Sequence, residues 1–194
     1  MIIKKKESES IAIASKFLQE EKLIIIPTDT IYGFSGIMGS KAEDSLYKIK
    51  QRDKDKKLIY LIAHPSDLYK YIDTKFYTSE ELEYLTSFWP AALTIIFKAW
   101  AKEEKDSDTT IAFRCPKDTW LRTLIASVAR PIFSTSANIS GKPTITNVQE
   151  LEMTFGSALA IVVDEDARNK LSSTILDASK RPFSVVRQGA FAIE

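Results

Sequence analysis

Segments with the period of a helix and short apolar runs of strand length alternate from one end of this chain to the other. Ile11, Ala14 and Leu18 recur at helical spacing, and Leu23 to Ile26 reads as a buried strand stopped by Pro27. Ser40 with Glu43 three residues on is a capping-box signal. Ala42, Leu46 and Ile49 then mark the apolar stripe of a short helix, with Lys50 and Arg52 at its C-terminal end. Thr78 with Glu81 repeats the signal ahead of Leu82 and Leu85, and Trp89-Pro90 stops that helix. Leu93 to Phe97 and Ile111 to Phe113 read as strands. Asp118 caps a helix carrying Leu121, Leu124, Ile125 and Val128, after which Pro131 to Phe133 is extended. Asn147 with Glu150 opens a further helix, followed by strands at Leu159 to Val163, Thr174 to Leu176 and Ser184 to Val186. Interleaving of the two periods predicts an α/β protein, a twisted open mixed sheet with helices packed on it.

A chain of 194 residues fits one domain, 1–194, and the charged stretch from Lys98 to Asp108 reads as an exposed loop between strands. Leu23 to Ile26 is the longest aliphatic run, far short of the roughly 20 residues that span a bilayer. The basic start, Met1 to Lys6, is not followed by the continuous apolar core of an export signal. Cys115 is the single cysteine, so no internal disulfide forms, and a cytoplasmic location is expected.

A net charge of +1 argues against a protein coated with positive charge, so any contact with a polyanion must be local. Between Lys48 and Lys57 there are six cations (Lys48, Lys50, Arg52, Lys54, Lys56, Lys57) against Asp53 and Asp55. That run is either a solvated rim or a phosphate-binding segment. Gly33, Gly36 and Gly39 are spaced three apart, which is not the dinucleotide fingerprint, and Gly141-Lys142 lacks the preceding glycine of a P-loop. With His64 as the single histidine and Cys115 the single cysteine, a histidine triad or a His/Cys zinc site has almost nothing to be built from. Thr28-Asp29-Thr30 reads as a turn whose hydroxyls satisfy local backbone groups. Arg114, closing a strand, is either a surface cation or a carboxylate clamp.

Four pieces occur in order: Pro27-Thr-Asp-Thr-Ile-Tyr-Gly33, Ile49-Lys-Gln-Arg52, Trp89-Pro-Ala-Ala-Leu-Thr94 with Thr110-Ile-Ala-Phe-Arg114, and Ser134-Thr-Ser-Ala-Asn138. With Ser173-Thr174 and Arg187-Gln-Gly189 near the end, this series resembles the YrdC-like family, the threonylcarbamoyl-AMP synthases of tRNA modification, in its short single-domain form. The resemblance implies a concave basic face and a nucleotidyltransferase that turns L-threonine, bicarbonate and ATP into threonylcarbamoyl-AMP and pyrophosphate. Mg²⁺ would escort the ATP, and the product would pass to downstream tRNA-modification proteins.

By motif, Lys50, Arg52 and Lys56 would face the ATP phosphates, with Lys50 and Arg52 catalytic. Thr110, Ser136, Asn138, Thr146 and Arg187 would hold the nucleotide, and Thr30, Arg114, Ser136 and Ser173 the threonine. Departures from the family pattern are Lys50-Gln-Arg-Asp53 in place of Lys-Gly-Arg-Pro and Trp89-Pro-Ala-Ala92 in place of Trp-Pro-Gly-Pro. Leu61 stands where long members carry a histidine. The alternative is a non-catalytic relative that binds tRNA or other structured RNA through the basic face. Such a protein has no use for Thr30, Arg114 and Ser173 together.

Overall fold

Alternate residues of a strand point to opposite faces of a sheet, so strand register assigns every side chain to one of two layers. A computed structural model describes all residues except 52, 54–55, 101–108, 157–158, 165–170 and 194. Its elements follow in the order β1 (Ile2–Lys4), α1 (Ser10–Gln19), β2 (Ile24–Ile26), β3 (Gly33–Ile37), α2 (Lys41–Lys50), β4 (Ile59–Leu61), 3₁₀ turns at Pro65–Lys70 and Thr74–Phe76, α3 (Ser79–Ser87), β5 (Leu93–Lys98), β6 (Thr110–Arg114), α4 (Thr119–Val128), β7 (Ile132–Ser136), α5 (Val148–Phe155), β8 (Ala160–Val163), β9 (Thr174–Asp177) and β10 (Ser184–Arg187). The strands form one mixed sheet in the order β1-β8-β2-β3-β7-β4-β6-β5-β9-β10. This is the open α/β architecture that the interleaved periods predict.

Register brings Ile24, Ile26, Ile37, Leu61 and Ile132 onto one face. There they pack against Ala14 and Leu18 of α1 and Leu121, Leu124, Ile125 and Val128 of α4. The same face continues through Gly33, Ser134, Ser136, Ile59, Ala112, Arg114, Thr94, Ile96 and Ile175. On the opposite face, Phe34, Ile25 and Phe133 pack on α2 and α5 through Ala42, Leu46, Leu151 and Phe155. Leu93, Ile95, Phe97 and Phe113 of that layer pack on Leu82 and Leu85 of α3.

The helix starts follow their capping residues. Thr78 and Glu81 form a reciprocal box, with the Glu81 N–H on Thr78 Oγ1 at 3.1 Å and the Thr78 N–H on Glu81 Oε2 at 2.9 Å. Asp118 Oδ1 accepts from the Leu121 N–H, and Asn147 Oδ1 from those of Gln149 and Glu150. At α2 the expected box is altered. Ser40 accepts from the Ala42 N–H, while Glu43 reaches back to the N–H of Gly39. Strands β1, β3 and β4 were not expected from the sequence. Gly33 and Gly36 interrupt the apolar pattern of β3, and β1 and β4 have only three residues each.

Gly36 shows why that interruption exists. A Cβ built there would lie 2.5 Å from the Ala42 Cβ and 2.7 Å from the Phe133 ring, so glycine lets α2 and β7 close onto β3. Gly36→Ala should therefore overpack the layer at a cost of about 1–3 kcal/mol. For a chain of this size that lowers Tm by roughly 2–12 °C in a thermal unfolding experiment followed by circular dichroism. An unchanged Tm would show that α2 and Phe133 separate without cost.

Candidate functional site

The part of the first face that α1 and α4 leave uncovered forms the floor of a cavity of about 460 Å³. Thr94 and Ile96 of β5, Ala112 and Arg114 of β6, and Ser134 and Ser136 of β7 line it at alternate positions. Among the described residues, the charged side chains in its wall are Lys57, Arg114 and Arg187, all of them cations.

Arg114 is held by the turn that follows β2. Thr28 Oγ1 donates to the Ile31 carbonyl at 2.7 Å and accepts from the backbone N–H groups of Thr30 and Ile31. The segment is thus the hydroxyl-closed turn expected from Thr28-Asp29-Thr30. The same turn aims Thr30 at Arg114, whose Nη1 donates to Thr30 Oγ1 at 3.0 Å. Asp29 adds countercharge, with Oδ1 3.4 Å from Arg114 Nη2, and its Oδ2 accepts from the Lys117 N–H. Arg114 is 4% exposed, and its Nε has no hydrogen-bond partner among the described residues. Burial pulls the guanidinium below its ordinary pKa range, Asp29 opposes that, and Arg187 adds to it. Arginine nevertheless stays charged. A buried charged donor left unmade costs more than about 1–3 kcal/mol, a penalty that a bound anion would relieve.

The opposite wall is built from hydroxyls. Thr94 Oγ1 and Ser173 Oγ lie 2.9 Å apart, both buried, and Arg187 donates to the Ser173 carbonyl from Nη2 at 2.9 Å and Nε at 3.2 Å. Two cations, Arg114 and Arg187, therefore influence one another across a space lined by serine and threonine. An anion placed there would be attracted by both.

The basic segment enters differently from its sequence reading. Lys56 is exposed and outside the cavity wall, whereas Lys57 lines the cavity and its Nζ donates to Thr110 Oγ1 at 2.7 Å. Lys50, at the end of α2, is 2% exposed and is not among the residues lining the cavity. Its ammonium lies instead on the carbonyls of Ser136 and Asn138 and on Asn138 Oδ1. Asn138 spends its amide on the carbonyls of Ile139 and Lys142, so its side chain shapes the loop. Thr146 lines a separate cavity of about 330 Å³ with Tyr32, Asn147 and Asp164. Arg52 lies outside the described residues.

Thr30, Arg114, Ser136, Ser173 and Arg187 thus meet in one cavity, which Lys50, Lys56, Thr110, Asn138 and Thr146 do not line. Thr94, Ser134 and Lys57 were not among the expected site residues, although the first two stand in the quoted motifs and the third in the basic run. The signal for Thr94 was a polar residue set in an apolar strand. Among the described residues, no group of three or more His, Cys, Asp or Glu side chains is placed to hold a metal ion. Among the described residues, no helix is long and apolar enough to cross a membrane.

A family model for the Sua5, YciO and YrdC proteins, described as "Telomere recombination", matches residues 16–189. The threonylcarbamoyl-AMP synthase of Shigella boydii serotype 4 is 33% identical over 179 residues, which cover 89% of this chain and 93% of that protein. Among solved structures, Sua5 of P. abyssi complexed with L-threonine aligns with a TM-score of 0.84 at 30% identity, covering 97% of this chain. This chain spans 57% of that longer one. YciO of E. coli shares the fold, with a TM-score of 0.80 at 19% identity over 97% of this chain and 94% of its own.

Cys115 adjoins Arg114 but is fully buried, its Sγ 3.5 Å from the Ala63 carbonyl. Burial pushes its thiol up to about 11, so the reactive thiolate is scarce at pH 8. Native protein should react with an aromatic disulfide reagent at pH 8 on the order of 100-fold more slowly than protein unfolded in guanidinium, where an ordinary pKa near 8.5 applies. Equal rates would place this thiol at the surface.

Proposed function

The chain belongs to the Sua5/YciO/YrdC family, and from that premise we propose that it is an L-threonylcarbamoyladenylate synthase acting in tRNA threonylcarbamoyladenosine formation. The observation that carries this reading is the cation-lined, hydroxyl-rich cavity around buried Arg114. It supplies what the reaction needs. The threonine amine attacks bicarbonate to give a carbamate with loss of water. A carbamate oxygen then bonds to the α-phosphorus of ATP as the α–β bridging bond breaks and pyrophosphate leaves. Two anions must meet in that step, so charge neutralisation and orientation matter more than a strong base.

Arg114 takes the threonine carboxylate, with Thr30 and Ser173 beside it and the Asp29 carboxylate orienting the guanidinium. Arg187, Lys57 and Thr110 take the nucleotide, and the family motif assigns Arg52 and Lys56 to its phosphates. Ser136 faces both substrates from β7, and Thr146 belongs to the nucleotide side through the neighbouring cavity. Mg²⁺ enters as part of the nucleotide substrate, held by the triphosphate.

Purified protein should release pyrophosphate from ATP only when L-threonine and bicarbonate are both present. Equal release with serine, or without an amino acid, would refute the assignment. Arg114→Lys should weaken threonine binding in calorimetry by about tenfold or more and change ATP binding much less, because a point ammonium cannot reproduce paired hydrogen bonds to a planar carboxylate. An equal loss for ATP in a folded variant would remove Arg114 from the threonine subsite.

A further inference from the structure

We infer that Lys50 is a positioning residue that latches the β7 loop, and that it reaches the substrates through Ser136 instead of through phosphate. Its ammonium has three donors, and among the described residues three oxygens accept from it: the Ser136 carbonyl at 2.5 Å, the Asn138 carbonyl at 2.8 Å and Asn138 Oδ1 at 2.9 Å. The ring of Phe34 lies 5.3 Å away and completes a site in which the lysine is 2% exposed. A buried ammonium is tolerated only when such acceptors replace water, and a phosphate contact would have to compete with them.

The tie is reciprocal and continues to the cavity. The Ser140 N–H donates back to the Lys50 carbonyl at 3.0 Å, joining the end of α2 to the same loop. Ser136 Oγ donates to Asn138 Oδ1 at 2.6 Å, so the oxygen that Lys50 fixes also sets the direction of the Ser136 hydroxyl in the cavity wall. The loop's own backbone bonds, from Ala137 N–H to the Tyr32 carbonyl and from Ile145 N–H to the Ala137 carbonyl, start from the strand end that Lys50 holds. A cation at this point therefore acts on wall geometry, and both substrates that share Ser136 should feel its loss.

Lys50→Met keeps an unbranched stem one atom shorter and removes the charge. In that variant, amide hydrogen exchange across residues 137–145 should accelerate by about tenfold or more, while α1 and α4 exchange as before. Calorimetry should show threonine and ATP weakened together, each by about tenfold. Unchanged exchange in 137–145, or loss of ATP affinity with threonine affinity intact, would overturn the latch and return Lys50 to the phosphates. If Lys50→Met fails to fold, Lys50→Gln keeps a shorter, uncharged donor for the same oxygens and leaves the bonds of Asn138 to Ser136, Ile139 and Lys142 in place, and the same local exchange and paired loss of affinity are expected at smaller size. Wild-type exchange in 137–145 as fast as that of this variant would equally overturn the latch. The affinity arms rest on the synthase reading. If wild-type protein binds neither threonine nor ATP, that reading falls while the exchange result still judges the latch by itself.

Discussion

A guanidinium shielded from water has to be answered by fixed acceptors, and much of the candidate site is organised around that requirement at Arg114. Thr30 provides an acceptor and Asp29 the countercharge, both from a turn that Thr28 closes with its own hydroxyl. Pro27 ends β2 directly before this turn, so both arrive at the end of a fully buried strand and have little freedom to move. The backbone N–H of Lys117 grips Asp29 from behind. Among the described residues, Arg114 Nε and Asp29 Oδ1 are left without a hydrogen-bond partner, and an anionic ligand would take up the first and offset the repulsion from Arg187.

The cavity exists because one sheet face is covered unevenly. Helices α1 and α4 pack on the isoleucine end of that face and stop, and beyond them lies a trough that none of the described helices fills. The covered end is pinned by Lys5, whose Nζ bridges Asp118 at 2.5 Å and Asp164 at 2.7 Å, with Asp118 also capping α4. On the far side, Thr174 Oγ1 collects the N–H groups of Gly189 and Phe191 and fastens the C-terminal segment behind Ser173 and Arg187. Both ends of the trough are therefore held by residues that never enter it. Local hydroxyl and carboxylate contacts of this kind give a rigid wall, which is what orientation of two substrates demands.

Elements with a strong local signal were legible in the amino-acid order. Thr78, Asp118 and Asn147 cap the helices they announce, and the apolar stripe of α4 is the one buried against the sheet. Strand β3 was not legible, because Gly33 and Gly36 are poor strand formers taken individually. Gly36 is explained by Phe133, nearly a hundred positions away in the chain. In the site, Thr30, Arg114, Ser136, Ser173 and Arg187 were named from motifs and line one cavity. Lys50 and Lys56 were named from the same motifs, yet one is buried under a loop and the other is exposed outside the cavity wall.

The sequence by itself determined the interleaved helices and strands, the chemical character of the site, and the absence of histidine and cysteine sets for zinc or triad chemistry. Those follow from local periodicity, capping and residue type, which act over a few positions. Only the tertiary structure decided which cations meet. A lysine's four-carbon stem lets its ammonium serve a carbonyl cage or a cavity several ångströms apart, and sequence spacing does not distinguish the two. Lys57 reaches the cavity and Lys50 the cage because strand register and the close approach of α2 to β3 put those acceptors within reach.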